Sequence, residues 1–304
     1  MIKQTCTTLL MVAAIAHARA QGCGDAGICS TGTLQHAWQP SAKQQNEAGF
    51  SIATAMGEKR LWMISPQLEM KVFAIAKSYV EFKLPYHYIH GNLGSNYGIG
   101  DLMTAFTANI KTKSAKLKLR YTIGVKMGLG NGDDDKIGNP LPMAYQTNMG
   151  TTDGILGIGA GVGKYINLAL GIQQPLIQHN KNGYYTTDDR DKVSTAYFSS
   201  RRLFRKGDAL LRIEGHTGWE HMGLSGGAVF LYHLGEDRIT LKDKTVQTLD
   251  GSSGLTANLN IGYYYQTAVW RFECTAAAPI LMRNNRPDGL TRSIVFIPKF
   301  VFLL

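Results

Sequence analysis

Lys116, Lys118, Arg120 and Lys126 fall on even positions of residues 115–129, AKLKLRYTIGVKMGL, where the odd positions, Ala115, Leu117, Leu119, Tyr121, Ile123, Val125, Met127 and Leu129, are all apolar. Successive side chains of a strand point to opposite faces, so this stretch makes a strand with one greasy and one cationic face. Two other stretches place ionisable pairs on one face in the same way. Arg212 and Glu214 oppose Ala209, Leu211 and Ile213, while Arg271 and Glu273 oppose Trp270, Phe272 and Cys274. Charges on a water-facing wall act on solutes through their field, and in this set cations outnumber carboxylates, which favours small polar or anionic solutes. The same groups can instead pair into a closed ion network that fills a narrow interior.

Other residues suggest chemistry less strongly. His216, His221, Ser225 and His233 lie near one another in sequence, but a lipid hydrolase needs a nucleophile, a His and an orienting group at one lipid-facing rim, and no elbow or spacing points to that. No enzymatic activity and no cofactor is expected. Gly22, Gly24 and Gly27 match the dinucleotide fingerprint in letters, yet they follow no strand and open no helix. His87 and His90 are three apart, on opposite faces of a strand, and read as interfacial residues beside Tyr88 rather than as a metal pair. Asp133, Asp134 and Asp135, and Asp188, Asp189 and Asp191, read first as solvated loop charge and second as sites for Ca²⁺ or for bridging lipopolysaccharide through divalent ions. Cys23 and Cys29 flank GDAGI. That spacing suits a small disulfide in an oxidising periplasm, with metal ligation or a lipid anchor on Cys23 as rival readings. Cys274 reads as a buried or lipid-facing thiol.

The elements that must position these residues are long strands. Residues 115–129 extend on the order of 50 Å at about 3.3 Å per residue, which suits a strand crossing a membrane at a tilt. Residues 1–20 have the form of a signal peptide: Lys3, an apolar run from Leu9 to Ala16, then Ala18-Arg19-Ala20. No later run is long and apolar enough for a spanning helix, so a membrane protein of this sequence has to be a closed barrel. The whole chain carries 32 basic and 22 acidic side chains, net +10. Its basic residues alternate along strands instead of clustering on a helix, which argues against nucleic acid as a partner. The expected partners are outer-membrane lipid and lipopolysaccharide; oligomeric state is left open.

The alternation recurs in 158–164, 209–216, 255–265 and 268–275, and more weakly in 50–57, 70–84, 99–110, 166–172, 195–204, 224–234 and 292–302. In 158–164, Gly157, Gly159, Gly161 and Gly163 back an apolar row and leave room inside. The fold class is therefore all-β: a single antiparallel transmembrane β-barrel of about 12 strands, an even number as bacterial barrels require. Short turns are expected near 112–114, 164–165, 206–207 and 266–267, and long outward loops at 130–142, 176–194, 235–254 and 281–291. The domain plan is a signal peptide at 1–20, an N-terminal segment at 21–48 that can tuck into the barrel mouth as a small plug, and a barrel at 49–304. Pro298 interrupts the last strand and removes a ladder donor, so a local break or bulge is expected there.

The mature start GCGDAGICS, the central NPLPMAYQTNMGTTDGILGIG at 139–159, QQPL at 173–176 and RPDGLTRS at 286–293 resemble a poorly characterised group of Gram-negative outer-membrane barrels, and more distantly the transporter-type barrels of aromatic-degradation and fatty-acid uptake. The resemblance implies an outer-membrane channel or transporter and supplies no catalytic residues.

Overall fold

The computed structural model describes residues 28–35, 45–74, 78–114, 116–186, 197–288 and 292–304. In chain order the strands are β1 (Glu47–Gly57), β2 (Trp62–Phe73), β3 (Tyr79–Gly91), β4 (Gly94–Ile99), β5 (Leu102–Ile110), β6 (Leu117–Met127), β7 (Asp135–Lys136), β8 (Asn139–Pro140), β9 (Thr151–Val162), β10 (Ile166–Gln178), β11 (Asp208–Gly218), β12 (Met222–His233), β13 (Arg238–Thr240), β14 (Val246–Thr248), β15 (Gly254–Gln266), β16 (Trp270–Leu281) and β17 (Arg292–Leu303). β4 and β5 both pair with β3 and are two halves of one stave, broken at Gly100 and Asp101. Each remaining long strand pairs antiparallel with its neighbours, β1 pairs with β17, and β2 with β3, so the ring closes as a 12-stranded barrel. Closure leaves no unpaired edge in the lipid.

The strand count agrees with the sequence reading, but two elements do not. Residues 70–84, read as one strand, contain the end of β2 and the start of β3, which pair antiparallel; the sequence between them, 74–78, lacks the Gly, Pro, Asn or Asp that would mark the division. Residues 197–204 form no strand; their alternating apolar side chains bury Tyr197 and Leu203 inside the outer loops instead of facing lipid. The short turn expected at 206–207 is accordingly the end of a long loop. At Pro298 the ladder to β1 skips Ile52 and Ala53 and resumes at Thr54 opposite Phe296 with the register unchanged, a local break without a bulge.

Strand direction sorts the connections. The segments joining β2 to β3, β5 to β6, β9 to β10, β11 to β12 and β15 to β16 are short and lie at the same end as the start of β1 and the end of β17. The opposite end carries the long connections that contain β7, β8, β13 and β14. Short turns face the periplasm in barrels of this kind, and long loops face outward. The outer loops have apolar cores of their own: Leu61, Met63, Ile89, Leu141, Tyr145, Tyr184 and Tyr197 pack together, as do Met143, Leu203, Ile239 and Leu249.

Between the two ends the outward side chains are apolar and bare. Leu68, Ile123, Leu170 and Ile261 are 62%, 54%, 55% and 61% exposed, a burial problem in water that lipid resolves. Aromatic clusters rim this band, with Trp62 beside Tyr88 and His90 at the outer end and Trp270 beside Tyr265 and Phe300 at the periplasmic end, as aromatic girdles do. No helix is long and apolar enough to cross a membrane among the described residues.

Candidate functional site in the barrel lumen

A 12-stranded barrel is wider than its own side chains fill and narrower than an open porin. Here the difference is occupied by residues 28–35. Two short 3-10 turns, Ile28–Ser30 and Gly32–Leu34, sit among the inner faces of β5, β6, β9 and β10. Ile28, Cys29 and Leu34 bury against Met103, Ile155, Ala169, Leu210 and Val229. Gly157 and Gly159 of the glycine face anticipated from sequence make the space together with Gly171 of β10, which was not anticipated: a Cβ on Gly157 or Gly171 would stand 2.8 or 2.6 Å from Leu34, and one on Gly159 2.9 Å from Thr33. Gly32 adopts φ +48°, a left-handed conformation that favours glycine, and lies against Thr122.

Polar contacts hold the segment in place. The Ile28 amide donates to Gln173 Oε1 at 3.1 Å, the Thr33 amide to Thr122 Oγ1 at 2.9 Å and the Gly32 amide to Glu81. Lys83 donates to the Ser30 carbonyl, and Arg212 Nη2 to the Cys29 carbonyl at 3.0 Å. Strand groups from opposite sides of the barrel therefore converge on one seven-residue piece of chain, 28–34. Cys29 is buried; Cys23 and the signal-peptide residues lie outside the described residues.

Around it the lumen is charged and largely compensated. On the β1, β2, β3, β16 and β17 wall, ion pairs run continuously: Lys71 to Glu47 at 3.2 Å, Glu47 to Arg271 at 3.1 Å, Arg271 to Glu273 at 2.5 Å, Glu273 to Lys299 at 3.7 Å, Lys299 to Glu69 at 2.7 Å, Glu69 to Lys83 at 3.7 Å and Lys83 to Glu81 at 4.0 Å. Four cations meet four carboxylates in that chain. Toward the outer mouth, Lys126 pairs with Asp101 and Asp153 at 3.4 and 3.2 Å, and Arg205 reaches Asp153, Asp208 and Asp288 at 3.7, 3.1 and 3.5 Å. Arg283 closes on Asp288 at 2.9 Å, and His233 lies between Asp208 and Asp237 at 2.7 and 2.8 Å. Three outer connections, through Arg205, Asp237 and Asp288, are thereby clasped to strands β9, β11 and β12. Asp288, outside the spanning strands, is pushed up by burial but more strongly held down by Arg283 and Arg205, so its carboxyl stays well below the usual carboxylate range.

The eight charged residues singled out from sequence separate into two sets. Lys126, Arg212, Glu214, Arg271 and Glu273 are inward, buried and ion-paired. Lys116 and Lys118 are exposed at the periplasmic turn and the start of β6, and Arg120 is half-buried just inside. Sequence reasoning missed Glu47, Glu69, Lys71, Glu81, Lys83 and Lys299; the inward alternation of Glu69 with Lys71 and of Glu81 with Lys83 was available but lay within the two strands read as one. Asp153, Gln173 and Asp288 fall inside the stretches that carried the resemblance.

The enzymatic candidates do not converge. His216 and Ser225 are opposite each other on β11 and β12 and face the lumen. His221 lies in an exposed periplasmic turn and His233 at the far end of β12. None stands at a lipid-facing rim with a partner set. His87 faces inward to Ser65 at 2.7 Å and His90 outward to Ser95 at 2.7 Å, and the described residues hold no cluster of three or more metal-ligating side chains. Asp134 is tied to Asn96 and Thr147, while residues 188–191 lie outside the described residues.

A closed antiparallel barrel with a bare apolar belt, aromatic rims and all long loops at one end has one physical setting. The protein is an outer-membrane β-barrel. Among solved structures, an outer membrane channel from Pseudomonas putida F1 matches with TM-score 0.64 at 16% identity, over 89% of this chain and 100% of that one. The fold is thus shared with a channel. The NanC porin aligns at TM-score 0.45 and 8% identity over 84% and 100% of the two chains, and outer membrane phospholipase A from Escherichia coli at 0.40 and 12% over 92% and 98%. Likenesses that loose carry no argument about activity. No protein-family model and no curated protein sequence matches the chain.

Proposed function

We propose that this barrel is a channel or transporter for small polar or anionic solutes, closed at rest by its N-terminal segment. One observation carries the reading: residues 28–34 are held in the lumen by hydrogen bonds from several strands, in space that Gly157, Gly159 and Gly171 leave open. A barrel needed merely as a wall fills its interior with strand side chains, whereas a removable segment leaves a bore when it goes. In this reading Cys23 and Cys29 close a small disulfide that stiffens the end of the plug, and the charged walls set which solutes pass.

The second reading, a closed structural or adhesion barrel, draws on the continuous eight-residue ion network, which belongs to the strands and remains when the plug leaves. Planar-bilayer recordings on the refolded mature chain and on a variant lacking residues 21–45 separate the two. A nearly silent parent and a steadily conducting variant are expected. Silence from both, with each shown to be folded by heat-modifiable mobility, retires transport in favour of a structural barrel, and full conductance by the parent retires the plug.

A further inference from the structure

The wall facing the compensated network is not itself compensated. On β6, Lys118 and Arg120 point inward from the periplasmic mouth, and neither makes an ion pair or side-chain hydrogen bond with a described residue. Arg120 lines a small recess that opens to solvent, together with Thr33, Gln35, Asn167, Arg212 and the Glu214 carboxylate. Arg212 is 6% exposed. Its Nη1 donates to Glu214 at 2.7 Å and its Nη2 to the Cys29 carbonyl at 3.0 Å, while its Nε is buried with no acceptor.

A buried guanidinium N–H left without an acceptor is an unfavourable state that native proteins resolve with a partner or a ligand. Guanidinium groups present planar donor sets that match a carboxylate or a phosphate group. We propose that the recess between Arg120 and Arg212, beneath the plug, binds a small soluble oxyanion, a carboxylate or phosphate group. Lys116 and Lys118 at the periplasmic mouth raise the local anion concentration, and Asn167 supplies a neutral polar contact. The barrel wall separates the recess from lipid, so the ligand is a solute and not a lipid headgroup. This deepens the transport reading by naming the chemical class that its lumen selects.

The test is calorimetric titration of the refolded full-length mature chain with acetate and with inorganic phosphate at constant ionic strength. Saturable binding is expected for at least one of them, and Arg120→Gln should weaken it at least tenfold. Arg120→Gln removes no ion pair or side-chain hydrogen bond to a described residue, so the variant should fold like the parent, whereas Arg212→Gln also breaks the Glu214 and Cys29 contacts and is a less clean probe. Lys206→Gln, in an outer loop, serves as the control that leaves affinity unchanged. Absence of saturable binding, or equal affinity in Arg120→Gln, overturns the site. A barrel that binds but never conducts keeps the site and loses the transport reading, and one that conducts without binding does the reverse.

Discussion

At the scale of single residues, the plug depends on side chains that are absent. Gly157, Gly159 and Gly171 contribute no contact of their own, yet each is a place where a side chain would meet Leu34 or Thr33. The alternation of glycine with apolar residues in 157–163 made that space legible in sequence; what would fill it was not legible, because residues 28–35 carry no periodicity to match to the strands. Gly171→Val tests the arrangement. Valine suits a strand, and its Cβ would lie 2.6 Å from Leu34, so overpacking of about 1–3 kcal/mol should fall on plug docking rather than on the barrel. Converted through RT, this lowers the docking equilibrium constant of the plug by roughly five- to 150-fold. The expected outcome is a folded barrel with frequent opening in bilayer recordings. A Gly171→Val barrel as silent as the parent would show that Leu34 repacks without leaving.

At the scale of elements, the outer loops are fastened by charge as well as by their apolar cores. Arg205 and Arg283 converge on Asp288, tying 282–288 to the loop before β11. Removing one partner of a buried ion pair strands the other, at about 3–5 kcal/mol. Asp288→Asn should therefore loosen this clasp and increase protease cleavage at 282–291 and 197–207, leaving the barrel itself heat-modifiable. The pH dependence follows from the sign of the shift. Asp288 has a folded pKa below its unfolded value, so its contribution is present above the ordinary aspartate pKa of about 3.9 and is lost only as pH falls through the lower folded value. The loops of the parent should accordingly stay protease-resistant at pH ~4.5, and cleavage appearing already at pH 6 would assign the clasp to another group. This clasp was hidden in sequence because Arg205 and Asp288 lie in loops, and loops have no period from which to infer facing. The same absence allowed 195–204 to pass for a strand: alternation shows that one side is buried, without showing whether lipid or a loop core does the burying.

At the scale of the whole molecule, membrane placement and strand count follow from the period of two in segments such as 115–129 and 255–265, which depends on facing alone and survives changes of residue type. The charge balance of the interior depends on which strands become neighbours, and that is set by closure. Closure brings β16 and β17 beside β1 and β2, so Arg271 and Lys299 find Glu47 and Glu69, while Lys118 and Arg120 on β6, with Lys116 in the turn before it, lie beside β9, where Gly161 and Gly159 stand opposite Lys118 and Arg120. The ion-paired parts of the lumen are therefore nearly neutral in their field, and the periplasmic mouth on the β6 side is cationic. With the plug removed, ion preference should come from the β6 side. In a barrel lacking residues 21–45, a salt gradient is expected to give a reversal potential of anion-preferring sign, and Lys116→Gln, Lys118→Gln and Arg120→Gln together should bring it close to zero. Because charges at the mouth are screened over about 10 Å at 0.1 M salt, the preference should be strongest in dilute salt and fade toward 1 M. An unchanged reversal potential in the triple variant would place the selecting charges elsewhere in the lumen, with Lys126 and Arg205 at the outer mouth the next to neutralise.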